Sequence, residues 1–208
     1  MMPNPCVTVD RGGFVPPWFT FGFGVLMVGL YAIAGPMPES LVYDRAEIAA
    51  GEVWRLVTGH LVHGDLRHLA ANVLALMILG SVLESVLRFD VKTIVIAAIV
   101  GMLAVDGLLW TTRPPLAWYC GFSGVLNTLF VLAAYGQRRR TGDAIYGLLA
   151  LGGLGKIALE AWNADALLPT SSLPSVIEAH FAGFVAGLAL CMLAAVAPYF
   201  RFQSRAAA

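Results

Sequence analysis

Long apolar runs alternate with short polar segments along the chain. The six runs cover residues 14–34, 67–87, 91–110, 121–136, 143–162 and 176–200. Prolines or basic residues stand between most of them, as is typical of the ends of membrane helices. Because about 20 helical residues span a hydrocarbon core of roughly 30 Å, the pattern predicts an all-α protein with six transmembrane helices.

The composition agrees with a membrane location. Apolar residues make up 59% of the 208 residues and charged residues only 12%, and the mean hydropathy is +0.77. We therefore interpret residues 1–208 as one integral membrane domain, whose longest connection is the segment 35–66. The net charge of zero gives no reason to expect a nucleic-acid partner, which leaves the lipid bilayer and membrane peptides.

The first apolar run has a second interpretation, as a secretion signal. Arg11 would be its basic flank, and Ala32-Ile-Ala34 resembles a signal-peptidase site. The run is longer than the usual signal core of about 7 to 15 residues, which favours a retained membrane helix.

The basic residues predict the orientation of the six helices. One side of the membrane would carry eight of them and the other side four, and basic loops favour the cytoplasm. Both termini are therefore expected in the cytoplasm, with the outer loop 35–66 on the opposite side. The eight are Arg11, Arg88, Lys92, Arg138, Arg139, Arg140, Arg201 and Arg205.

A serine and a histidine on different predicted helices are the main candidates for chemistry. Ser123 stands between glycines in Gly121-Phe-Ser-Gly124, and His180 follows 57 positions later. Counting about 1.5 Å per residue from the cytoplasmic charges places Ser123 roughly 22 Å and His180 roughly 27 Å from that side. A neutral histidine there would take the serine's proton during attack on a peptide carbonyl. No carboxylate is expected at this depth, which favours a Ser123–His180 dyad over a triad.

Amide hydrolysis also needs donors for the charge that develops on the carbonyl oxygen. His68 and Asn72 are four residues apart on the second predicted helix and so share one face. Asn72 lies roughly 24 Å from the cytoplasmic side, close to the level of the serine. Together with the backbone N–H of Ser123 at a helix N-terminus, these side chains form a candidate oxyanion site.

Small residues are expected to bring the serine and histidine helices together. Gly183 and Gly187 form a small-residue face on the last predicted helix. Gly121 and Gly124 would let substrate and neighbouring chains approach the serine closely.

The chain carries a series of motifs in a distinctive order. They are Trp54-Arg55, His63, His68, Asn72, Leu79-Gly80, Glu84, Gly121-x-Ser123-Gly124 and His180-x-x-Gly183. In this order they resemble the rhomboid family of intramembrane serine proteases. The resemblance implies Ser123 as nucleophile and His180 as general base. His68, Asn72 and the Ser123 backbone would form the oxyanion site. A six-helix bundle with a membrane-associated outer loop between helices 1 and 2, and a mobile fifth helix, are also implied.

Within that family the chain is similar to the rhombosortases. Gly59-His-x-Val-His63 and Gly121-Phe-Ser-Gly-Val-Leu126 carry this narrower resemblance. It implies a bacterial-type inner membrane and a transmembrane protein substrate with a C-terminal glycine-glycine sorting tail. Asn127 departs from the pattern, because common rhomboids carry a tyrosine there that stacks on the catalytic histidine. Asn127 would either hydrogen-bond His180 or line the pocket.

Two further histidines have two interpretations. His60 and His63 brace the outer loop, with His63 close to the pocket, or they bind a metal together with His68. Because no His-Glu-x-x-His motif is present, we expect no metal. We also expect no cofactor.

Several further polar residues fall inside the apolar runs or beside the serine. Cys120 is expected to be a neighbour of Ser123 and not the nucleophile. Glu84 is expected to tie helices together. Lys156 and Glu160 are four residues apart and either pair with each other or recognise a charged flank of the substrate.

Two other functions fit parts of the pattern. A catalytically inactive rhomboid-like protein would bind membrane helices, but it would need neither Ser123 nor His180. A small transporter would carry polar residues across the bilayer, whereas here they cluster toward one side.

Overall fold

The computed structural model describes residues 14–112, 118–163, 171–172 and 174–196, and six long helices form its frame. They are α1 Trp18–Ala34, α4 Leu66–Ser81, α5 Val91–Thr112, α6 Ser123–Thr141, α7 Ile145–Asn163 and α8 Ile177–Val196. Two short helices, α2 Arg45–Ala49 and α3 Arg55–Leu61, lie between α1 and α4, and a π-helical turn, Val82–Val86, continues α4. The predicted helical architecture is confirmed. The predicted end of the last helix, 197–200, lies outside the described residues.

Four helical segments of the described chain are long and apolar enough to cross a membrane: Leu66–Val86, Val91–Thr111, Ile145–Asn163 and Ile177–Ala195. Helix α1 is apolar but has only 17 residues, and α6 carries three arginines in its last turn. Large apolar side chains such as Leu103, Leu151 and Trp162 are exposed on the bundle, as expected where lipid replaces water. The chain is a multi-pass membrane protein, and the count of six spans stays a prediction.

The segment 35–66 contains regular structure that the apolar pattern did not predict. The carboxylate of Asp44 caps α2, and strand β1 Tyr43–Asp44 pairs antiparallel with strand β2 Trp118–Tyr119. The buried guanidinium of Arg55 donates hydrogen bonds to two backbone carbonyl oxygens of the same segment. The bonds of Arg55 satisfy backbone carbonyl groups within the segment. The pairing of β1 with β2 attaches the segment to the residues that precede α6.

Glu84 joins the ends of α1 and α4. Its carboxylate accepts hydrogen bonds from the N–H groups of Phe19 and Thr20, at 3.1 and 3.0 Å, and from the Thr20 hydroxyl at 2.9 Å. Both N–H groups lie in the first turn of α1, where a helix lacks internal partners and where no local side chain caps it. Glu84 therefore caps a neighbouring helix and ties the two together, as its sequence position predicted.

Replacing Glu84 by alanine should lower the free energy of unfolding by about 1–3 kcal/mol, because two N–H groups of α1 lose their acceptor. The measurement is unfolding of the purified protein in detergent. The exposed Glu39 is the matched control, and Glu39→Ala should leave the unfolding midpoint unchanged. Equal losses in the two variants would contradict the capping role.

Helix α6 is central in the bundle and packs closely on α8. A Cβ on Gly183 would collide with the carbonyl oxygen of Gly124, so the two backbones touch at these glycines. Nearby, the Thr128 hydroxyl donates to the carbonyl oxygen of Gly183 at 2.8 Å. This approach determines the distance between side chains at the starts of the two helices.

Candidate active site

The side chains of Ser123 and His180 form a hydrogen bond, with 3.0 Å between Oγ and Nε2. Ser123 is the first residue of α6, and His180 lies in the first turn of α8. The contact of the two helices at Gly124 and Gly183 brings these side chains together. An imidazole nitrogen at this distance is within reach of the hydroxyl proton.

Gly121 forms the turn that presents Ser123. Its φ of 113° lies in the region that favours glycine. Its N–H donates to the carbonyl oxygen of Gly59 at 3.0 Å, and its carbonyl oxygen accepts from the Tyr119 hydroxyl at 2.9 Å. A Cβ on Gly121 would lie 2.6 Å from Nε2 of His68. A glycine here therefore lets the His68 ring lie against the serine turn.

His68 and Asn72 lie one turn apart on α4, and Asn72 is buried. Nδ2 of Asn72 donates to the carbonyl oxygen of His68 at 2.8 Å, which uses one of its two hydrogens. The His68 ring packs edge-on against the buried His63 ring, with 5.1 Å between centroids. Burial and the neighbouring His68 lower the pKa of His63 to about 3, so this imidazole is neutral at physiological pH.

Asp65 belongs to the same region, although we did not single it out from the sequence. Its carboxylate caps α4 by accepting from the N–H of His68 at 2.8 Å. It also accepts from the Ser171 hydroxyl at 2.9 Å and from the Ser172 N–H at 2.7 Å. Burial alone would raise the pKa of Asp65, but these hydrogen bonds outweigh it and hold the pKa below its ordinary value. An aspartate three residues before His68 is a recognisable N-cap signal.

The amide of Asn127 bonds within its own helix. Its Nδ2 donates to the carbonyl oxygen of Ser123 at 2.9 Å, one turn back on α6. Asn127 thus lies one turn from the serine, with its amide nitrogen bonded to the backbone of α6.

A carboxylate lies beside the pair, so the prediction that none would is wrong. Glu160 on α7 is 1% exposed, and its Oε2 lies 3.7 Å from Nδ1 of His180. Its Oε1 accepts a 2.6 Å hydrogen bond from Nζ of Lys156, so these two residues pair as their spacing suggested. The four-residue spacing predicted the pairing of Lys156 with Glu160. It carries no information about which face of α7 packs against α8.

His60 contacts an aspartate on another helix, and Cys120 carries a buried thiol. Nε2 of His60 lies 3.1 Å from Oδ1 of Asp106, which joins α3 to α5. Burial, with a smaller effect of Asp65, raises the pKa of the Cys120 thiol to about 11, so it is protonated at neutral pH. Among the described residues, no three His, Cys, Asp or Glu side chains group as metal ligands.

The fold and this site define a class of protein: a multi-pass helical membrane protein that holds a hydrogen-bonded serine and histidine at the starts of two adjacent helices. The family model for the rhomboid domain matches residues 50–196. The chain therefore belongs to the rhomboid family, which is a family of intramembrane proteases. No curated protein matches the chain.

Proposed function

We propose that this chain is an intramembrane serine endopeptidase that hydrolyses a peptide bond in or near a transmembrane segment of its substrate. The 3.0 Å hydrogen bond between Ser123 Oγ and His180 Nε2 carries the proposal. It joins a hydroxyl nucleophile directly to a base, in a chain of the rhomboid family.

In this reaction Ser123 Oγ bonds to the substrate carbonyl carbon while its proton passes to His180 Nε2. His180 then gives a proton to the leaving amine as the C–N bond breaks, which leaves an acyl ester on Ser123. A water molecule next gives a proton to His180 and attacks the ester. The carboxylic acid product leaves, and Ser123 recovers its proton.

The oxyanion that forms in both steps would be stabilised by three donors. One is the N–H of Ser123, which is at the start of α6 and has no partner within the helix. The others are the second amide hydrogen of Asn72 and the ring of His68, which lies beside the serine turn. Preorganised donors in a site shielded from water are worth about 3 to 4 kcal/mol each in one soluble protease.

The proposed topology has six spans, with both termini in the cytoplasm and the site opening to the outer side of a bacterial-type inner membrane. The distribution of basic residues supports this orientation. The 17 residues of α1 cover about 26 Å, which suffices for a slightly thinned bilayer. Helix α6 would complete the set, with its three arginines at the cytoplasmic surface.

We further propose a rhombosortase-type substrate, a protein that ends in a glycine-glycine motif, a membrane helix and a basic tail. The Gly59-His-x-Val-His63 and Gly121-Phe-Ser-Gly-Val-Leu126 motifs support this narrower assignment. Both motifs surround the serine turn, where Gly121 N–H donates to the Gly59 carbonyl oxygen.

The test is incubation of the purified protein in liposomes with two matched substrates, which differ only in a glycine-glycine or an alanine-alanine sequence before the membrane helix. We expect cleavage of the first substrate to be faster, and labelling of Ser123 by a fluorophosphonate. Equal cleavage of both would contradict the narrower assignment alone. If neither substrate is cleaved and Ser123 is not labelled, the protease proposal fails in favour of an inactive helix-binding protein.

A further inference from the structure

We infer that Glu160 is a positioning residue for His180, so that the site is a Ser123–His180–Glu160 triad. The inference rests on the proposed protease function and adds the group that orients the base. Glu160 lies on α7, a helix that contributes neither the serine nor the histidine.

The two ring nitrogens of His180 face the two partners that a triad requires. Nε2 lies 3.0 Å from Ser123 Oγ, and Nδ1 lies 3.7 Å from Glu160 Oε2. Among the described residues, Nδ1 has no hydrogen-bond acceptor at shorter range. Contacts of catalytic groups are often long in the resting enzyme and shorten when substrate binds. A small shift of α7 toward α8 would make the contact a hydrogen bond.

Glu160 is buried and has an ion-pair partner on its own helix. It is 1% exposed, and Nζ of Lys156 donates to Oε1 at 2.6 Å while remaining 41% exposed itself. Lys156 thus offsets the cost of a buried charge, and it bonds to Oε1, whereas the contact with His180 is made by Oε2. Oε2 is the oxygen that lies nearest to Nδ1 of His180.

The consequence for catalysis concerns the tautomer of the imidazole. A carboxylate beside Nδ1 favours the form that carries its hydrogen on Nδ1, which leaves the Nε2 lone pair directed at the serine hydroxyl. When the Ser123 proton moves to Nε2, the resulting imidazolium lies next to a negative charge. Glu160 itself neither gains nor loses a proton in this step.

Asn127 is the other candidate for this role. Its amide nitrogen donates to the Ser123 carbonyl oxygen on α6. Glu160 is therefore the better candidate, because its carboxylate lies on the opposite side of the His180 ring from Ser123.

The deciding variant is Glu160→Gln, because Lys156 controls how the new amide would be oriented. Nζ needs an acceptor, so the amide oxygen should face Lys156 and the NH₂ group should face Nδ1 of His180. The histidine must then place its hydrogen on Nε2, which removes the base for Ser123. We expect the maximal rate of fluorophosphonate labelling of Ser123 to fall by about 100-fold or more. The probe concentration at half-maximal rate should not change.

A second readout is the NMR spectrum of protein labelled with ¹⁵N only in histidine, since the chain has four histidines. His180 should change from the Nδ1–H to the Nε2–H tautomer in Glu160→Gln, which a purely structural role of Glu160 would not produce. Glu160→Asp keeps the charge and should be labelled at an intermediate rate. Asp106→Asn is the matched control, because it alters another buried carboxylate–histidine pair. In this variant the His180 signals should not change.

Labelling of Glu160→Gln at the wild-type rate, with an unchanged His180 tautomer, would overturn this inference and leave the protease proposal intact. If Glu160→Gln does not fold, a wild-type labelling rate in Glu160→Asp would overturn it equally. Failure of the wild-type protein to be labelled would overturn both.

Discussion

The Ser123→Ala variant is expected to lose cleavage of a membrane-spanning substrate by about 10⁴-fold or more, with little change in the free energy of unfolding. The substitution removes only Oγ, the atom that forms the covalent bond in the proposed mechanism, and leaves the proposed backbone oxyanion donor in place. The neighbouring Cys120 thiol cannot replace it, because burial keeps this thiol protonated. The measurement is the initial rate of cleavage in liposomes.

Ser85→Ala is the matched control for this variant. Ser85 carries a buried hydroxyl on the π-helical turn that follows α4, and its loss should leave the rate unchanged. His180→Ala should be about as inactive as Ser123→Ala, and the double variant no worse than either, because the two side chains act as one unit. Cleavage that survives in Ser123→Ala would refute the mechanism.

The Gly183→Ala variant is expected to lose both stability and activity, although it adds a single methyl group. That methyl would collide with the carbonyl oxygen of Gly124, and a backbone atom cannot move aside by changing rotamer. Overpacking of this kind costs about 1–3 kcal/mol. Because α8 must shift away from α6, the Ser123–His180 hydrogen bond should lengthen, and a displacement of about 1 Å lowers the rate by roughly 100-fold.

The measurement combines thermal unfolding with fluorophosphonate labelling of the folded fraction. Gly155→Ala on α7 is the control, since a Cβ there meets no atom within 4 Å. Alanine is favoured over glycine in a helix, so this control should be as stable as wild type or slightly more stable. Normal labelling of folded Gly183→Ala would show that the glycine contact does not position the pair.

The positions of the long helices could be predicted closely, because lipid exposure demands continuous apolar runs. The end of α6 was predicted less closely. The prediction ended it near 136, but the helix continues through Arg138–Arg140 to Thr141 and stops at Gly142, whose φ is 76°. Arginines are good helix formers, so a charge marks the membrane boundary without marking the helix boundary.

The segment 35–66 could not be predicted in the same way. Its two short helices and its strand are stabilised by contacts with other parts of the chain, such as the pairing of Tyr43 with Tyr119 and the contact of His60 with Asp106. Such contacts leave no regular spacing of apolar residues in the sequence.

By itself, the sequence determined that this is a helical membrane protein of the rhomboid family, and it singled out Ser123, His180, His68 and Asn72. Apolar runs carry that information because they are properties of single helices, and the order of the motifs carries it because it can be read directly along the chain. Only the tertiary structure decided that Ser123 and His180 lie at hydrogen-bond distance and that Glu160 lies beside the histidine. Those distances depend on how closely α6, α7 and α8 pack, which small residues and helix tilt control across separate parts of the chain.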